Sequence, residues 1–373
     1  MKKIKNIHVD VNPLGIGAGG LGGMDTRDSS NDSSVILALE TGFSLGMNLI
    51  DTAEVYGGGH SEELVGVSIK NREVVVASKV SPENLGRERL IKSLDESLLR
   101  LGVEVIDLYQ VHWPNPLIPL SETMGTLNEL VSIGKIKAVG LCNFTLDQIK
   151  EASLYLAPNY LSTVQLEYNL FDRSCEEDIL PFCAANNIKL LAYSPLDQGS
   201  ICGRKNVKDK LQMFASKHEC SVATLALAWL IRRDEVLVIP KSVSVKHVRE
   251  NALATSISLS DADYSEIAAL TVNTPELIDI NDIEIVPGIG VGARKVYVTL
   301  DEALSNIYGF VPSPSELAED MLQGKFLKPI RLMLRPTRGG SPRYELVEGR
   351  IRYWAWIIAF GINRPIPALV RDI

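Results

Sequence analysis

The chain has 373 residues, 46% hydrophobic and 23% charged, with a formal net charge of −8. That balance is ordinary for a globular protein and argues against a chain built wholly for nucleic acid. The length suits one large domain with a small one, or two of medium size. The five cysteines (Cys142, Cys175, Cys183, Cys202, Cys220) lack CxxC spacing and a histidine pattern, so reduced thiols are expected and no metal. The start "MKKIKNIHVDVNP" has no apolar run after its lysines, and the longest apolar stretch, "WAWIIAFGI", is too short to span a bilayer. A cytoplasmic protein without membrane contact is the expectation.

In chain order, "PLGIGAGG", "NLIDTA", "EVVVASKV", "VIDLYQVHW", "IKAVGLCNF", "STVQLEYNL", "IKLLAYSPL" and "EVLVIPKS" read as strands. They lack strict polar alternation, as expected of parallel strands covered on both faces. Amphipathic segments lie between them. Leu90, Leu94, Leu98 and Leu101 recur at helical spacing before Gly102, and Met124, Leu127 and Val131 do the same further on. Eight strand–helix units over about 250 residues predict a (β/α)8 TIM barrel. A doubly wound sheet would have fewer units and a GxGxxG turn opening its first helix, whereas the residues after "GIGAGGLGGMD" are polar and loop-like.

In such a barrel the chemistry sits at the carboxyl ends of the strands. There the sequence offers Asp51 and Tyr56 after the second strand, Lys79 on the third and His112 on the fourth. Hydride delivered to a carbonyl carbon builds negative charge on oxygen, so a proton donor must stand beside it. A tyrosine can serve when a cation lowers its pKa and a carboxylate holds that cation, and these are Tyr56, Lys79 and Asp51. His112 would orient the carbonyl and donate a hydrogen bond.

"NLIDTAEVYGGGHSEELVG", "VVVASKV", "SLDESLLRLGVEVIDLYQVHWP", "GKIKAVGLCNF", "VQLEYNLFD", "LAYSPLDQG" and "IPKSVSVKHVREN" resemble, in order, the signatures of the aldo-keto reductase family, over about residues 7–270. The resemblance implies a (β/α)8 barrel, NADP(H) as cofactor and a small carbonyl as substrate. It places the catalytic tetrad on Asp51, Tyr56, Lys79 and His112. It also implies that Asn143 and Gln165 hold the nicotinamide carboxamide and that Tyr193 stacks on the ring, with Ser194 and Leu196 alongside. Lys241 and Ser242 would meet the 2′-phosphate and Asn251 the adenine. His247 stands where many members carry an arginine, with Arg249 two residues on, which leaves NADP against NAD open. Cys142 replaces a common serine. Trp113 would form an apolar wall for small aldehydes or ketones, sugar-derived ones included.

A boundary is expected in the Pro-, Gly- and Asn-rich stretch after residue 270, giving domains at 1–275 and 276–373. Residues 321–373 hold ten Lys and Arg against three Asp and Glu, so this end is near +7. A helix capped by Ser315 and ended by Gly324, a strand "PIRLMLRP", a strand "RYELVEG", a helix "RYWAWIIAFG" and a strand "PIPALVRD" are predicted, with Trp354 and Trp356 in the core. "LAEDMLQGKFLKPIRL" and "YELVEGRIRYWAW" resemble the ParB/sulfiredoxin superfamily over residues 283–373. That implies a small α+β domain with a phosphate- or nucleotide-binding turn at Glu348, Gly349, Arg350 and Arg352. The turn departs from both the ParB-like and the kinase-like patterns, so binding is expected there and phosphoryl transfer is not. The alternative reading is an NADP(H)-sensing regulatory or nucleic-acid-associated protein; the intact tetrad argues against it.

Overall fold

The computed structural model describes residues 1–158, 160–202, 205–271, 275–286, 297–309, 312–324, 329–335 and 343–371, and the side chains of Gln198, Ser200, Cys202, Lys205, Asn206, Glu348 and Arg371 lie outside that description. The chain divides into two compact units, Met1–Gln198 with Asp209–Leu270, and Gly199–Lys208 with Thr271–Ile373.

The first unit is built on β1 (Ile16–Gly17), β2 (Leu49–Asp51), β3 (Val75–Val80), β4 (Ile106–Val111), β5 (Ile136–Cys142), β6 (Leu161–Glu167), β7 (Lys189–Tyr193) and β8 (Val236–Val238). Each strand pairs in parallel with the next, in the order β1 to β8. A parallel bridge between Leu14 and Val238 brings the ends of the sheet together. There the Gly15 and Gly17 amides donate to the Val238 and Pro240 carbonyls at 2.8 and 3.0 Å, and the Val238 amide donates to Pro13 at 2.9 Å. The result is the expected (β/α)8 barrel.

Its interior explains the apolar runs. Leu49, Val75, Ala77, Leu108, Ala138, Leu191 and Leu237, from β2, β3, β4, β5, β7 and β8, form one buried cluster with Ile239. Each leucine so enclosed contributes about 1.5–3 kcal/mol relative to exposure.

Helices follow the strands: α1 (Asp32–Ser44), α2 (His60–Ser68), α3 (Arg87–Leu101), α4 (Leu120–Ser132), α5 (Leu146–Tyr155) and α6 (Ile179–Ala185). After β7 come two helices rather than one, α7 (Lys205–Lys217) and α8 (Val222–Ile231); after β8 come α9 (Val245–Ala252) and α10 (Asp261–Leu270). Leu90 and Leu94 are fully enclosed on α3, and Gly102 ends that helix in the left-handed conformation at φ 65°.

The loop between β2 and α2 is tightly packed. Gly57 and Gly59 have φ of 59° and 94°, where a side chain is strained. A Cβ on Gly57 would lie 2.4 Å from the Gly22 carbonyl oxygen, and one on Gly59 would lie 2.6 Å from Arg100 Cδ. Arg100 of α3 therefore braces the loop, and its Nε donates to Glu62 of α2 at 2.6 Å. Glu62 is 0% exposed and accepts a second bond from Ser78 of β3 at 2.5 Å.

The second unit has a mixed five-stranded sheet of β9 (Glu276–Ile278), β10 (Ile283–Glu284), β11 (Ile330–Leu334), β12 (Tyr344–Glu348) and β13 (Ile366–Arg371), in the order β10-β12-β11-β13-β9. Its helices are α11 (Leu300–Leu304), α12 (Pro314–Leu322) and α13 (Arg350–Phe360). Ile330, Leu332, Leu346, Ile366 and Ala368 of the sheet share a core with Tyr353, Trp354 and Ile357 of α13.

Three expectations change here. The α12 cap is Ser313, not Ser315: Ser313 and Glu316 exchange bonds in a capping box, and Pro314 takes the first helical position, where its missing N–H costs nothing. Helix α13 starts two residues earlier than predicted, at Arg350, behind a left-handed Gly349. Trp354 is buried, whereas Trp356 is only half-buried and donates to the Arg364 carbonyl at 3.0 Å, because the buried stripe follows Tyr353, Trp354 and Ile357.

Among the described residues no helix is long and apolar enough to cross a membrane, and no group of three His, Cys, Asp or Glu could hold a metal ion.

Leaving one partner of a buried ion pair uncompensated is strongly destabilising, so Arg100→Met lowers unfolding stability by about 3 kcal/mol. Adding Glu62→Gln in the same chain recovers part of that loss. Urea titration of the single and double variants checks both, and an Arg100→Met curve superimposed on wild type would refute the bracing role.

Candidate active site

All four residues of the expected tetrad meet at the carboxyl ends of adjacent strands. Asp51 is the last residue of β2, Lys79 lies one residue before the end of β3, His112 follows β4 directly, and Tyr56 stands on the glycine loop after β2. Lys79 Nζ donates to Asp51 Oδ2 at 2.5 Å, to the Thr52 carbonyl at 2.9 Å and to the Tyr56 hydroxyl at 3.4 Å. Lys79 is 0% and Asp51 3% exposed. His112 meets the Tyr56 ring edge-on, with centroids 5.7 Å apart at 87°.

The electrostatics follow from that burial. Desolvation alone would push the Lys79 ammonium toward neutrality, but Asp51, joined by Tyr56 and Cys142, outweighs it and holds the pKa above the ordinary lysine value. For Tyr56 the balance runs opposite to the sequence expectation. Burial raises the phenol pKa most, the Lys79 charge lowers it and Asp51 raises it, so the net shift is upward. Tyr56 is thus held protonated, as a proton donor must be, and Lys79 limits the rise.

A layer of amides lies among these groups. Gln165 Nε2 donates to Asp51 Oδ1 at 2.7 Å and to Gln110 Oε1 at 3.2 Å, and Gln110 Nε2 donates to Asp51 Oδ1 at 2.9 Å. The Gln165 carboxamide, expected to hold a cofactor amide, is 2% exposed and already engaged with Asp51. Asn143, just after β5, takes φ 64°; its Nδ2 donates to the His112 carbonyl at 3.1 Å and its Oδ1 accepts from Tyr193 OH at 2.9 Å. Ser194, after β7, also has a positive φ, 46°. Backbone strain of this kind gathers at working sites.

The remaining predicted residues lie at the ends of later strands. Leu196 is half-buried after β7. Lys241 is exposed just beyond β8, with its Nζ 3.5 Å from where a Gly20 Cβ would stand. Ser242 Oγ accepts from the Ser244 amide at 3.0 Å, and Ser244 caps α9, which carries exposed His247 and Arg249 and buried Asn251. Trp113 is half-buried beside His112. In the second unit, Arg350 donates to the Val286 carbonyl at 3.1 Å and Arg352 to the Pro329 carbonyl at 2.9 Å, while the Glu348 side chain falls outside the described residues.

Three contributors escape a reading by strand ends. Gln110 is a polar residue next to the end of β4 in a largely apolar run, and that break in "VIDLYQVHW" is the signal that marks it. Thr52 acts through its backbone. Glu54 accepts from the Ser81 amide at 2.7 Å, from Ser81 Oγ at 2.5 Å and from Asn84 at 3.0 Å, tying the segment before Tyr56 to the end of β3.

A parallel eight-stranded barrel with its ionisable groups gathered at the strand carboxyl ends has the layout of a barrel enzyme. By sequence the chain matches the Aldo/keto reductase family over residues 13–272. It is 31% identical over 316 residues to the NADH-specific methylglyoxal reductase of Escherichia coli K12, covering 70% of this chain and 96% of that one. The crystal structure of the thermostable aldo-keto reductase Tm1743 with the inhibitor epalrestat is similar at TM-score 0.69 and 38% identity, over 72% of this chain and 98% of that one. An aldo/keto reductase from Klebsiella pneumoniae, solved with NADP and acetate, is similar at TM-score 0.67 and 33% identity, over 73% and 96%. The chain belongs to the aldo/keto reductase family of oxidoreductases.

Burial pushes the Cys142 thiol up to about 12. At pH 8 the thiolate is then on the order of one part in 10⁴, so iodoacetamide leaves Cys142 of the native protein unmodified while it alkylates the half-buried Cys220. Peptide mass mapping reads this, and native labelling of Cys142 as fast as in urea would contradict the enclosure described.

Proposed function

We propose that the protein is an NAD(P)H-dependent reductase of small aldehydes and ketones, with 2-oxoaldehydes such as methylglyoxal the first candidates. The observation that carries this is the buried Lys79, donating both to Asp51 and to the Tyr56 hydroxyl with His112 edge-on to that ring. Tyr56 gives its proton to the carbonyl oxygen. Lys79 stabilises the phenolate left behind, and Asp51 fixes Lys79. His112 donates a hydrogen bond to the same oxygen and selects the face presented. Trp113 supplies an apolar wall.

The residues present fit a nicotinamide dinucleotide. When bound, its reduced ring supplies the hydride. Asn143 and Gln165 would hold the carboxamide and Tyr193, whose hydroxyl is bonded to Asn143, would stack on the ring, with Ser194 and Leu196 alongside. Lys241, Ser242 and the first turn of α9 offer an exposed cationic cradle for a 2′-phosphate, with His247 and Arg249 beside it and Asn251 toward the adenine. We therefore favour NADPH over NADH, although one relative is named as NADH-specific.

For residues 276–373, the reading as a separate ParB/sulfiredoxin-like domain has one favourable feature, the left-handed Gly349 ahead of α13. Against a phosphate or nucleotide site, Arg350 and Arg352 each give an N–H to a backbone carbonyl of their own unit. Arg335 meets Glu345 and Glu284, and Arg364 lies over the rings of Trp356 and Phe360. We assign that unit no ligand.

The test is NADPH oxidation with a panel of aldehydes and ketones. Tyr56→Phe removes the proton donor and lowers kcat by about 10²-fold or more while NADPH binding, followed by fluorescence, persists. A wild-type protein that binds NADPH yet turns over no carbonyl would sink the proposal. Lys241→Ala raises KM for NADPH about tenfold and leaves KM for NADH unchanged, as loss of one charge-assisted phosphate bond requires. An equal change for both cofactors would remove the 2′-phosphate assignment.

A further inference from the structure

We propose that Gln110 is a positioning residue of the reaction: its carboxamide sets the Asp51 carboxylate, and through it Lys79, in the orientation from which Lys79 serves Tyr56. The inference rests on the reading of Tyr56 as proton donor.

Asp51 uses its two oxygens differently. Oδ2 takes the Lys79 ammonium at 2.5 Å, and Oδ1 takes two amide N–H groups, from Gln110 at 2.9 Å and Gln165 at 2.7 Å. The two amides are also bonded to each other at 3.2 Å. Gln110 is 0% exposed, so no water replaces its N–H when it is removed. A carboxylate pinned at Oδ1 by two donors from β4 and β6 cannot rotate to offer Lys79 its other oxygen. Its plane, and the place of the ammonium 3.4 Å from Tyr56, are fixed from the far side.

The neighbouring strand is cut to fit this bond. A Cβ on Gly140 of β5, paired in register with Gln110, would lie 2.6 Å from Gln110 Cγ, 3.0 Å from its Oε1 and 2.5 Å from Thr163 Oγ1. Only glycine leaves the amide where it is. A leucine would fill the same interior space and keep the apolar pattern of β4, so barrel packing alone does not require Gln110. The bond to Asp51 does.

The electrostatic consequence has a sign. The N–H of Gln110 presents the positive end of its dipole to Asp51. Without it the pocket around Tyr56, which Lys79, Asp51, His112 and Cys142 line, becomes more negative, and the phenol loses its proton less readily. Gln110 itself bonds only Asp51 and Gln165, so its loss leaves the groups that meet the carbonyl and the cofactor in the chain.

The experiment uses the full chain with NADPH and methylglyoxal, or the best carbonyl of the panel, comparing Gln110→Leu, Gln110→Glu, Gly140→Ala and Tyr56→Phe. Loss of one hydrogen bond to a buried charge predicts a kcat roughly 10–100-fold lower for Gln110→Leu, with both KM values within about twofold of wild type. The alkaline limb of its kcat profile, where Tyr56 deprotonates, moves up by as much as about one pH unit. Gly140→Ala, whose methyl group displaces the Gln110 side chain, gives the same phenotype with Gln110 still in the sequence. Gln110→Glu keeps the shape of the side chain. It works near the wild-type rate at acid pH, where its protonated carboxyl can donate the same bond, and fails as that proton is lost. Should Gln110→Leu not fold, this acid-only activity decides the matter. The inference is overturned if Gln110→Leu matches wild type in kcat and alkaline limb while Tyr56→Phe is inactive. It is equally overturned if Gln110→Leu changes only KM or thermal stability, or if Gln110→Glu is active at every pH. An active Tyr56→Phe brings down the reading beneath it, and the inference with it.

Discussion

A lysine and an aspartate, both out of reach of water, set the terms for everything around them. Each buried charge costs several kcal/mol in lost hydration, and their mutual attraction offsets this only when the remaining hydrogen-bonding capacity is also met. Here it is met from four directions. Lys79 comes from β3, Asp51 and the Thr52 carbonyl from β2 and its extension, Gln110 from β4 and Gln165 from β6. A barrel brings these strand ends to one place. In an open sheet β2 and β6 would stand far apart, and the carboxylate would lose one of its donors.

The proton donor is held by a different device. Tyr56 lies on a loop, and loops move unless something stops them. Gly57 and Gly59 let this one press against Gly22 and Arg100, Glu54 ties it to Ser81 and Asn84, and Arg100 is itself held by Glu62. The site thus joins a rigid floor of strand residues to a separately braced arm. Such a division lets loops around the mouth vary in sequence while the distance from Lys79 to Tyr56 stays fixed.

Much of the barrel and its site is legible in the sequence, for identifiable reasons. Parallel strands covered on both faces read as unbroken apolar runs, and strand-end Asp51, Lys79 and His112 interrupt those runs where chemistry is expected. Gln110 is harder to see because one polar residue near the end of a largely apolar strand has no periodicity to announce it; its meaning lies in Asp51 and Gly140, which are distant in the chain. The direction of the Tyr56 shift differs from the expectation because Lys79 is visible in the sequence and the desolvation that outweighs it is not. In the second unit the elements are legible, but a sheet ordered β10-β12-β11-β13-β9 is set by long-range pairing that no local pattern carries. The cap falls on Ser313 rather than Ser315 because Pro314 is the first residue of the helix and not the last one before it.

The seam of the barrel has a further consequence. Strand β1 is two residues long, and backbone bonds from Gly15, Gly17 and Val238 draw β1 and β8 together. A methyl group at Gly15 would sit 2.9 Å from the Leu49 carbonyl oxygen and one at Gly17 would sit 2.6 Å from that of Ile239. Neither position can gain packing energy from a larger side chain, since one at Gly15 would push β1 from β2 and one at Gly17 would push it from the end of β8. Laboratory evolution toward new substrates will find its freedom in the loops and must treat this short glycine edge as fixed, because here closure of the cylinder leaves no room for compensation by neighbouring side chains.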